Sequence, residues 1–378
     1  MTRRVCYLTG TRADFGLMRS TLERAHADRR LSVELVVTGM HLEPRFGSTV
    51  AEVEASRLPI RARIPVDMSR SDGLHMAESV GTLLAALARE LAHDPPDVLL
   101  LLGDRGEMLA AAIAAVHLNL PVAHLHGGER SGTIDESLRH AISKLAHWHF
   151  AATECARQRL VRMGERADRV FVTGAPGLDG LASLACIDRA RLCREAGLDA
   201  SRPVALAVFH PVVQQMGEAG EQADALLDAL DDTGVQAMVL LPNADAGGDA
   251  IRASIARRGD CAGARSIATH LPRARFVSWM AAADLMLGNS SSGIIEAATF
   301  RLPVVNVGDR QRGRERGPNV VDVPARRDAI AGAIRAALFG PRPRAGNPWG
   351  DGRAGERIVE LLATLPAERD LLEKLNAY

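Results

Sequence analysis

The sequence predicts an α/β protein of two doubly wound parallel sheets, and three observations carry that reading. Unbroken apolar runs of strand length alternate with longer stretches of helical period, the pattern of a parallel sheet covered by helices. The alternation comes as two series, with a Gly- and Pro-containing stretch of short helical pieces between them. A chain of 378 residues that is 47% hydrophobic has the length and apolar content for two ordinary domains. The expected division is a first domain over 1–175, a linker over 176–202 and a second domain over 203–355. A closing helix over 356–378 is expected to complete the first domain.

Val5 to Thr9 reads as the first buried strand, and Gly10 to Gly16 as a turn into a helix over Leu17 to Ala27. A glycine-bearing strand-to-helix turn offers free backbone N–H groups to an anion. This one has neither a GxGxxG nor a Walker pattern, so it supports no dinucleotide fold and no P-loop NTPase. Arg12 reads equally as a phosphate partner and as a surface charge. Leu31 to Thr38 is the second strand, and Gly39 to Arg57 is polar and mixed with a helix at its end. Met68 to Gly73 is a loop, followed by an amphipathic helix over Leu74 to Ala92 that Pro95-Pro96 stops.

The next stretch is the richest in chemistry. Val98 to Leu102 is a strand and Met108 to Val116 an Ala-rich helix, so Asp104 sits where a strand ends and a helix begins. The form repeats at once: Pro121 to Leu125 is a strand, Gly127-Gly128 turns the chain, and a helix opens near Asp135. Ligands of open parallel sheets bind off the carboxyl ends of the strands. Two consecutive junctions therefore present Asp104, His126, Glu129, Asp135 and Glu136 toward one crevice. Any single acid there reads as well as a helix N-cap; five ionisable groups at adjacent junctions point further. A strand over Ala146 to Ala152, a helix over Cys155 to Met163 and a strand over Arg169 to Thr173 complete the series.

The second series has strands over Val204 to Phe209, Val235 to Leu241, Ser266 to His270, Asp284 to Gly288 and Pro303 to Val307. Its candidate site is Gly288-Asn289-Ser290-Ser291-Ser292-Gly293-Ile294-Ile295-Glu296. Three serines and a glycine at a helix start offer hydroxyls and N–H groups to an anion, and Glu296 is placed to accept from sugar hydroxyls. The competing reading is a serine cap with Glu296 complementing the helix dipole. His210 and Asn243 end neighbouring strands. The run from Gly308 to Arg316 reads either as a solvated basic loop or as a flexible phosphate clamp. Pro341 to Asp351 is a loop, and Glu356 to Leu375 a helix.

Composition excludes several classes. Lys+Arg and Asp+Glu are both 46, so no global basic field suits nucleic acid or a membrane surface. Aromatics are 3%, so Ala, Leu, Val and Ile must build the cores. Five scattered cysteines (Cys6, Cys155, Cys186, Cys193, Cys261) with no CxxC pair argue against a disulfide framework or a zinc site and fit the cytoplasm. The N-terminus lacks a signal-peptide pattern, and no apolar run approaches the roughly 20 residues of a membrane span.

In order along the chain, several motifs resemble the hydrolysing UDP-N-acetylglucosamine 2-epimerases. They are Thr9-Gly10-Thr11-Arg12-Ala13-Asp14, Gly103-Asp104-Arg105, His124-x-x-Gly127-Gly128-Glu129 and Thr133-Ile134-Asp135-Glu136-Ser137-x-Arg139-His140-Ala141-Ile142-Ser143-Lys144, then Val172-Thr173-Gly174, Gly288 to Gly293 and Gly308-Asp309-Arg310-Gln311-x-Gly313-Arg314-Glu315. The resemblance implies a GT-B fold of two Rossmann-like domains with the nucleotide sugar between them. It implies anti elimination of UDP to a 2-acetamidoglucal, then hydration to the free 2-epimeric sugar, with no cofactor and no metal. UDP-N-acetylglucosamine would give N-acetylmannosamine for sialic acid synthesis. A diacetamido-trideoxy UDP-sugar of the legionaminic acid route is the alternative.

By the same resemblance, Asp104 and Asp135 match acid/base carboxylates. Arg12, Arg105, Arg139, His210, Asn243, Ser290, Ser291, Gly293, Glu296 and Arg310 fall to substrate and UDP binding. One departure matters: several relatives carry a catalytic Glu where this chain has His126, so either His126 or Glu129 takes that role. A homodimer or homotetramer is expected. From other classes, a GT-B glycosyltransferase would need an acceptor pocket, and a non-catalytic UDP-sugar-binding protein would release no UDP.

Overall fold

The computed structural model describes residues 2–259, 263–341, 343–344, 346–366 and 371–378. The apolar runs become strands: β1 (Arg3–Thr9), β2 (Leu31–Thr38), β3 (Ile60–Ile64), β4 (Val98–Leu102), β5 (Val122–Leu125), β6 (Trp148–Ala151) and β7 (Val170–Val172). They form a seven-stranded parallel sheet in the order β3-β2-β1-β4-β5-β6-β7. The second series forms β8 (Val204–Val208), β9 (Gln236–Leu240), β10 (Arg265–Ala268), β11 (Leu285–Gly288), β12 (Val304–Val307) and β13 (Val320–Val323). These pair in parallel in the order β10-β9-β8-β11-β12-β13. Each sheet thus has a switch point, between β1 and β4 in the first and between β8 and β11 in the second. There the crossovers part to opposite sides and leave a crevice at the strand ends.

The two-residue period of a strand explains why these runs are apolar throughout. In the first sheet, Val5, Tyr7, Val33, Leu35 and Leu100 pack on one face against Phe15, Met18 and Leu22 of the helix Arg12–Ala27. Cys6, Leu8, Leu99 and Leu101 pack on the other face against Leu83, Leu87 and Leu91 of the helix Gly73–His93 and the alanines of Gly106–His117. Burying one such leucine is worth about 1.5–3 kcal/mol, so one apolar stripe suffices to hold each helix. The helix Ala354–Thr364 returns to the first sheet, with Ile358, Val359 and Leu362 in the same cluster as Val5 and Phe15.

The structure departs from the sequence reading at several places. The edge strands β3 and β13 were not expected, because edge strands carry charged and half-exposed residues that resemble loop. The first helix begins at Arg12 rather than Leu17, because Thr11 and Asp14 form a capping box. Asp14 accepts from the N–H groups of Gly10 at 3.1 Å and Thr11 at 2.9 Å, so two donors expected to await an anion are already used. The closing helix ends at Thr364, not near Leu375; of the remainder, 367–370 lie outside the described residues. Within 176–202 a helix, Arg189–Ala196, packs Leu192 and Cys193 against Val204 and Leu206. Cys261 lies outside the described residues; Cys6, Cys155, Cys186 and Cys193 are free thiols. Among the described residues, no helix is long and apolar enough to cross a membrane.

Candidate active site

The turns that leave β1, β4, β8 and β11 at the two switch points face one another across a cleft. Its walls include Arg12, Asp104, Arg105, His126, Asp135 and Arg139 from the first sheet's side. From the second come His210, Asn243, Ser290, Ser291, Glu296 and Arg310. The fold therefore gathers twelve residues singled out in the sequence. Glu129 and Gly293 are not on this lining. Gly293 sits behind the serine turn, where a Cβ would stand 2.9 Å from Val304 Cγ1, so it lets the short helix Ser291–Ile295 approach the sheet.

The carboxylates are set at different levels. Asp104 follows β4, and Asp135 and Arg139 lie one turn apart on the same face of the helix Ile134–Leu145. Arg139 bonds Asp104, and it also donates to the Glu129 carbonyl at 3.1 Å and to Ser131 Oγ at 3.3 Å. Burial works to raise the Asp104 carboxyl, but the charges of Arg139 and Arg314 outweigh it and hold the group below its usual range. Asp135 faces Arg310, 3.7 Å away on the opposite wall. Burial, Asp104 and Asp245 push its carboxyl up to about 6. Two neighbouring acids with opposite shifts are the arrangement that acid/base chemistry requires.

His126 and Glu129 form a pair in which only the histidine faces the cleft. Glu129 is buried behind it, bonded to His126 Nδ1 and to Arg314 Nη2 at 2.5 Å. Burial would raise this carboxyl, yet His126 and Arg314 hold it far below the ordinary range. His126 has a positive φ of 61°, an uncommon backbone state for a residue with a Cβ, and its ring stacks on Trp349 at 6.5 Å. The run that reads as a flexible clamp is instead pinned against the first domain. Gly132 N donates to the Arg310 carbonyl at 3.0 Å, and a Cβ on Gly132 would stand 1.8 Å from the Asp309 carbonyl.

The second wall is built from donors. Gly288, at φ 124°, brings the serine turn so close to β8 that a Cβ would lie 2.1 Å from the Val208 carbonyl. His210 N donates to Asn289 Oδ1 at 2.7 Å, and Asn243 N donates to His210 Nδ1 at 3.2 Å. Burial, then Arg310, Arg12 and Arg105, keep the His210 ring well below its ordinary value and therefore neutral. Ser290 caps the short helix by accepting from Ser292 N at 3.3 Å. Glu296 is ion-paired with Arg273. Arg12 donates to His270 Nδ1 at 2.6 Å, and Arg105 reaches Asp245 at 3.3 Å.

Arg273, His270, Asp245 and Trp349 lie outside the sequence candidates, and Arg314 stands in the motif from Gly308 to Glu315 without a role assigned to it. Arg314 lay within the arginine run, but nothing in one dimension shows that it turns inward while Arg312 is exposed. Trp349 comes from the loop after Pro341 and had no local signal. Among the described residues, no group of three or more His, Cys, Asp or Glu side chains could hold a metal ion.

The sequence profile of UDP-N-acetylglucosamine 2-epimerase matches residues 23–363. The chain belongs to that family. It is 48% identical, over 100% of both chains, to the UDP-N,N'-diacetylbacillosamine 2-epimerase (hydrolyzing) of Legionella pneumophila. It is 32% identical to the UDP-N-acetylglucosamine 2-epimerase of Neisseria meningitidis, over 95% of each chain. Its fold matches the crystal structure of UDP-GlcNAc 2-epimerase from Neisseria meningitidis bound to UDP-GlcNAc. The TM-score is 0.79 at 20% identity, covering 95% of this chain and 99% of that one. The architecture is accordingly GT-B-like, two parallel-sheet α/β domains.

Proposed function

We propose that this epimerase-family protein is a hydrolysing 2-epimerase whose substrate is UDP-N,N'-diacetylbacillosamine, the UDP derivative of 2,4-diacetamido-2,4,6-trideoxyglucose. The observation that carries the substrate is the full-length 48% identity to the L. pneumophila enzyme of that name. UDP-N-acetylglucosamine, the first expectation from the resemblance, becomes the second reading; the 32% relative from N. meningitidis supports it.

In this reading the two walls divide the reaction. The serine turn and Arg310 hold the diphosphate; Arg310 Nε, buried and without a hydrogen-bond partner among the described residues, favours an anion there. Asp104, kept ionised, takes the C2 proton as the C1–O bond to UDP breaks and a C1=C2 double bond forms. That proton is weakly acidic, since its neighbour bears nitrogen rather than a carbonyl, so departure of a neutralised diphosphate must accompany its removal. Asp135, the carboxyl with the raised pKa, returns a proton to C2 from the other face. Water then adds at C1, and His126, oriented by Glu129, takes the water proton. The products are UDP and the free 2-epimeric sugar.

Incubating both UDP-sugars with the protein in deuterated water, followed by NMR, tests this. The expected result is UDP and a free sugar carrying deuterium at C2, with the diacetamido substrate preferred in kcat/KM. Preference for UDP-N-acetylglucosamine would reverse the substrate assignment. Epimerised sugar still attached to UDP, or no UDP from either compound, would remove the hydrolysing reaction.

A further inference from the structure

Behind the cleft, the side chain of His124 lies at the junction of three site-bearing segments. It sits on β5, is 0% exposed and does not line the cleft. Its Nε2 is 2.7 Å from the carbonyl of Gly103, the residue before Asp104. That carbonyl can only accept, so Nε2 carries the proton. Nδ1 is then the acceptor, and Ser143 Oγ donates to it at 3.2 Å. Ser143 lies on the helix that also carries Asp135 and Arg139. The third segment is the turn after β5, which bears His126. A Cβ on Gly127 would stand 2.8 Å from Ser143 Oγ and 3.0 Å from His124 Nδ1, so that turn rests against the same pair. Burial lowers the imidazole pKa to about 3, which keeps the ring neutral and this hydrogen-bond polarity unchanged near neutral pH.

We infer that His124 is a positioning residue, which through Nε2–H to the Gly103 carbonyl holds the Gly103–Asp104 turn in register with the helix carrying Asp135 and Arg139. The role rests on the proposed acid/base function of Asp104. A small displacement of a reacting group costs rate steeply, about 10²-fold for an error near 1 Å. The serine turn and Arg310, which hold the diphosphate in that reading, lie on the other wall and do not depend on this link.

Paired substitutions separate positioning from bulk stability. His124→Gln places an amide N–H near the position of Nε2 and keeps the donation to Gly103; His124→Asn is too short to do so. Both shrink the same buried side chain, and thermal melts of both should fall by similar amounts. The expected result is a kcat for His124→Asn at least tenfold below that of His124→Gln, with UDP dissociation constants within twofold of the parent for both. Equal kcat in the two variants, or a loss of UDP affinity that parallels the loss of kcat, would overturn the inference. If both fail to fold, Ser143→Ala replaces them: it removes only the Nδ1 donor, and an unchanged kcat there would overturn the inference, while a lowered kcat with unchanged UDP affinity would sustain it. Asp104→Asn is run alongside. Turnover surviving in that variant would remove the catalytic reading itself, whereas its loss together with equal His124 variants would remove the positioning role alone.

Discussion

On the first sheet's side of the cleft, charge is largely matched within the wall. Asp104 meets Arg139, and Glu129 meets His126. Two arginines of the second wall cross to this set: Arg314 also pairs with Glu129, and Arg310 is the countercharge of Asp135. On the second sheet's side, the Asn289 side chain and the Asn243 N–H fix His210, while hydroxyls and arginines remain turned inward. The same strand-end geometry serves both walls, and the difference lies in which side chains find partners at home. A wall with internally paired carboxylates can hold protonation states apart. A wall with surplus donors is suited to an anion.

Substitutions on each wall should therefore have different signatures. The largest effect belongs to the first wall. Asp104→Asn, Asp135→Asn and His126→Gln should each lower kcat by roughly 10²–10⁴-fold, with UDP binding by calorimetry little changed. Glu129→Gln, acting through His126, should fall less. Near-normal kcat in both aspartate variants would end the assignment of proton transfer to this wall. Next in size, Ser291→Ala on the second wall should weaken UDP binding by about 1.5–3 kcal/mol, the loss of one hydrogen bond to a charged group. Calorimetry showing the parent affinity would take the serine turn out of the anion site.

The smallest effect tests the contact between the walls. Burial, Asp104 and Asp245 raise the Asp135 carboxyl to about 6, and Arg310 opposes them. If Asp135 acts as the acid, kcat/KM in the free enzyme declines as pH rises through that value. Removing the opposing positive charge must raise the pKa further. Arg310→Gln should then move the declining limb to higher pH, by a fraction of a unit to about one unit. A limb that stays put or moves down would show that Arg310 does not set the state of Asp135.

Periodicity and turn chemistry made most strands and helices of both series legible, and placed Asp104, Asp135, His210 and Ser290 at strand ends where parallel sheets bind ligands. These are local signals: an apolar run, a glycine, a capping residue. The edge strands β3 and β13 escaped because their mixed polarity fits a loop as well as a strand.

The sequence by itself determined the two α/β series, the junctions that carry the acids and the serine-rich turn. Tertiary structure alone decided that His126 faces the cleft while Glu129 stands behind it, that Arg314 turns inward, and that Trp349 lies beside His126. It also decided that Asp104 stays ionised while Asp135 is raised. The reason is physical. Strand and helix preferences are set by neighbours in the chain, whereas burial and charge pairing depend on residues that meet only when the two sheets close on one cleft.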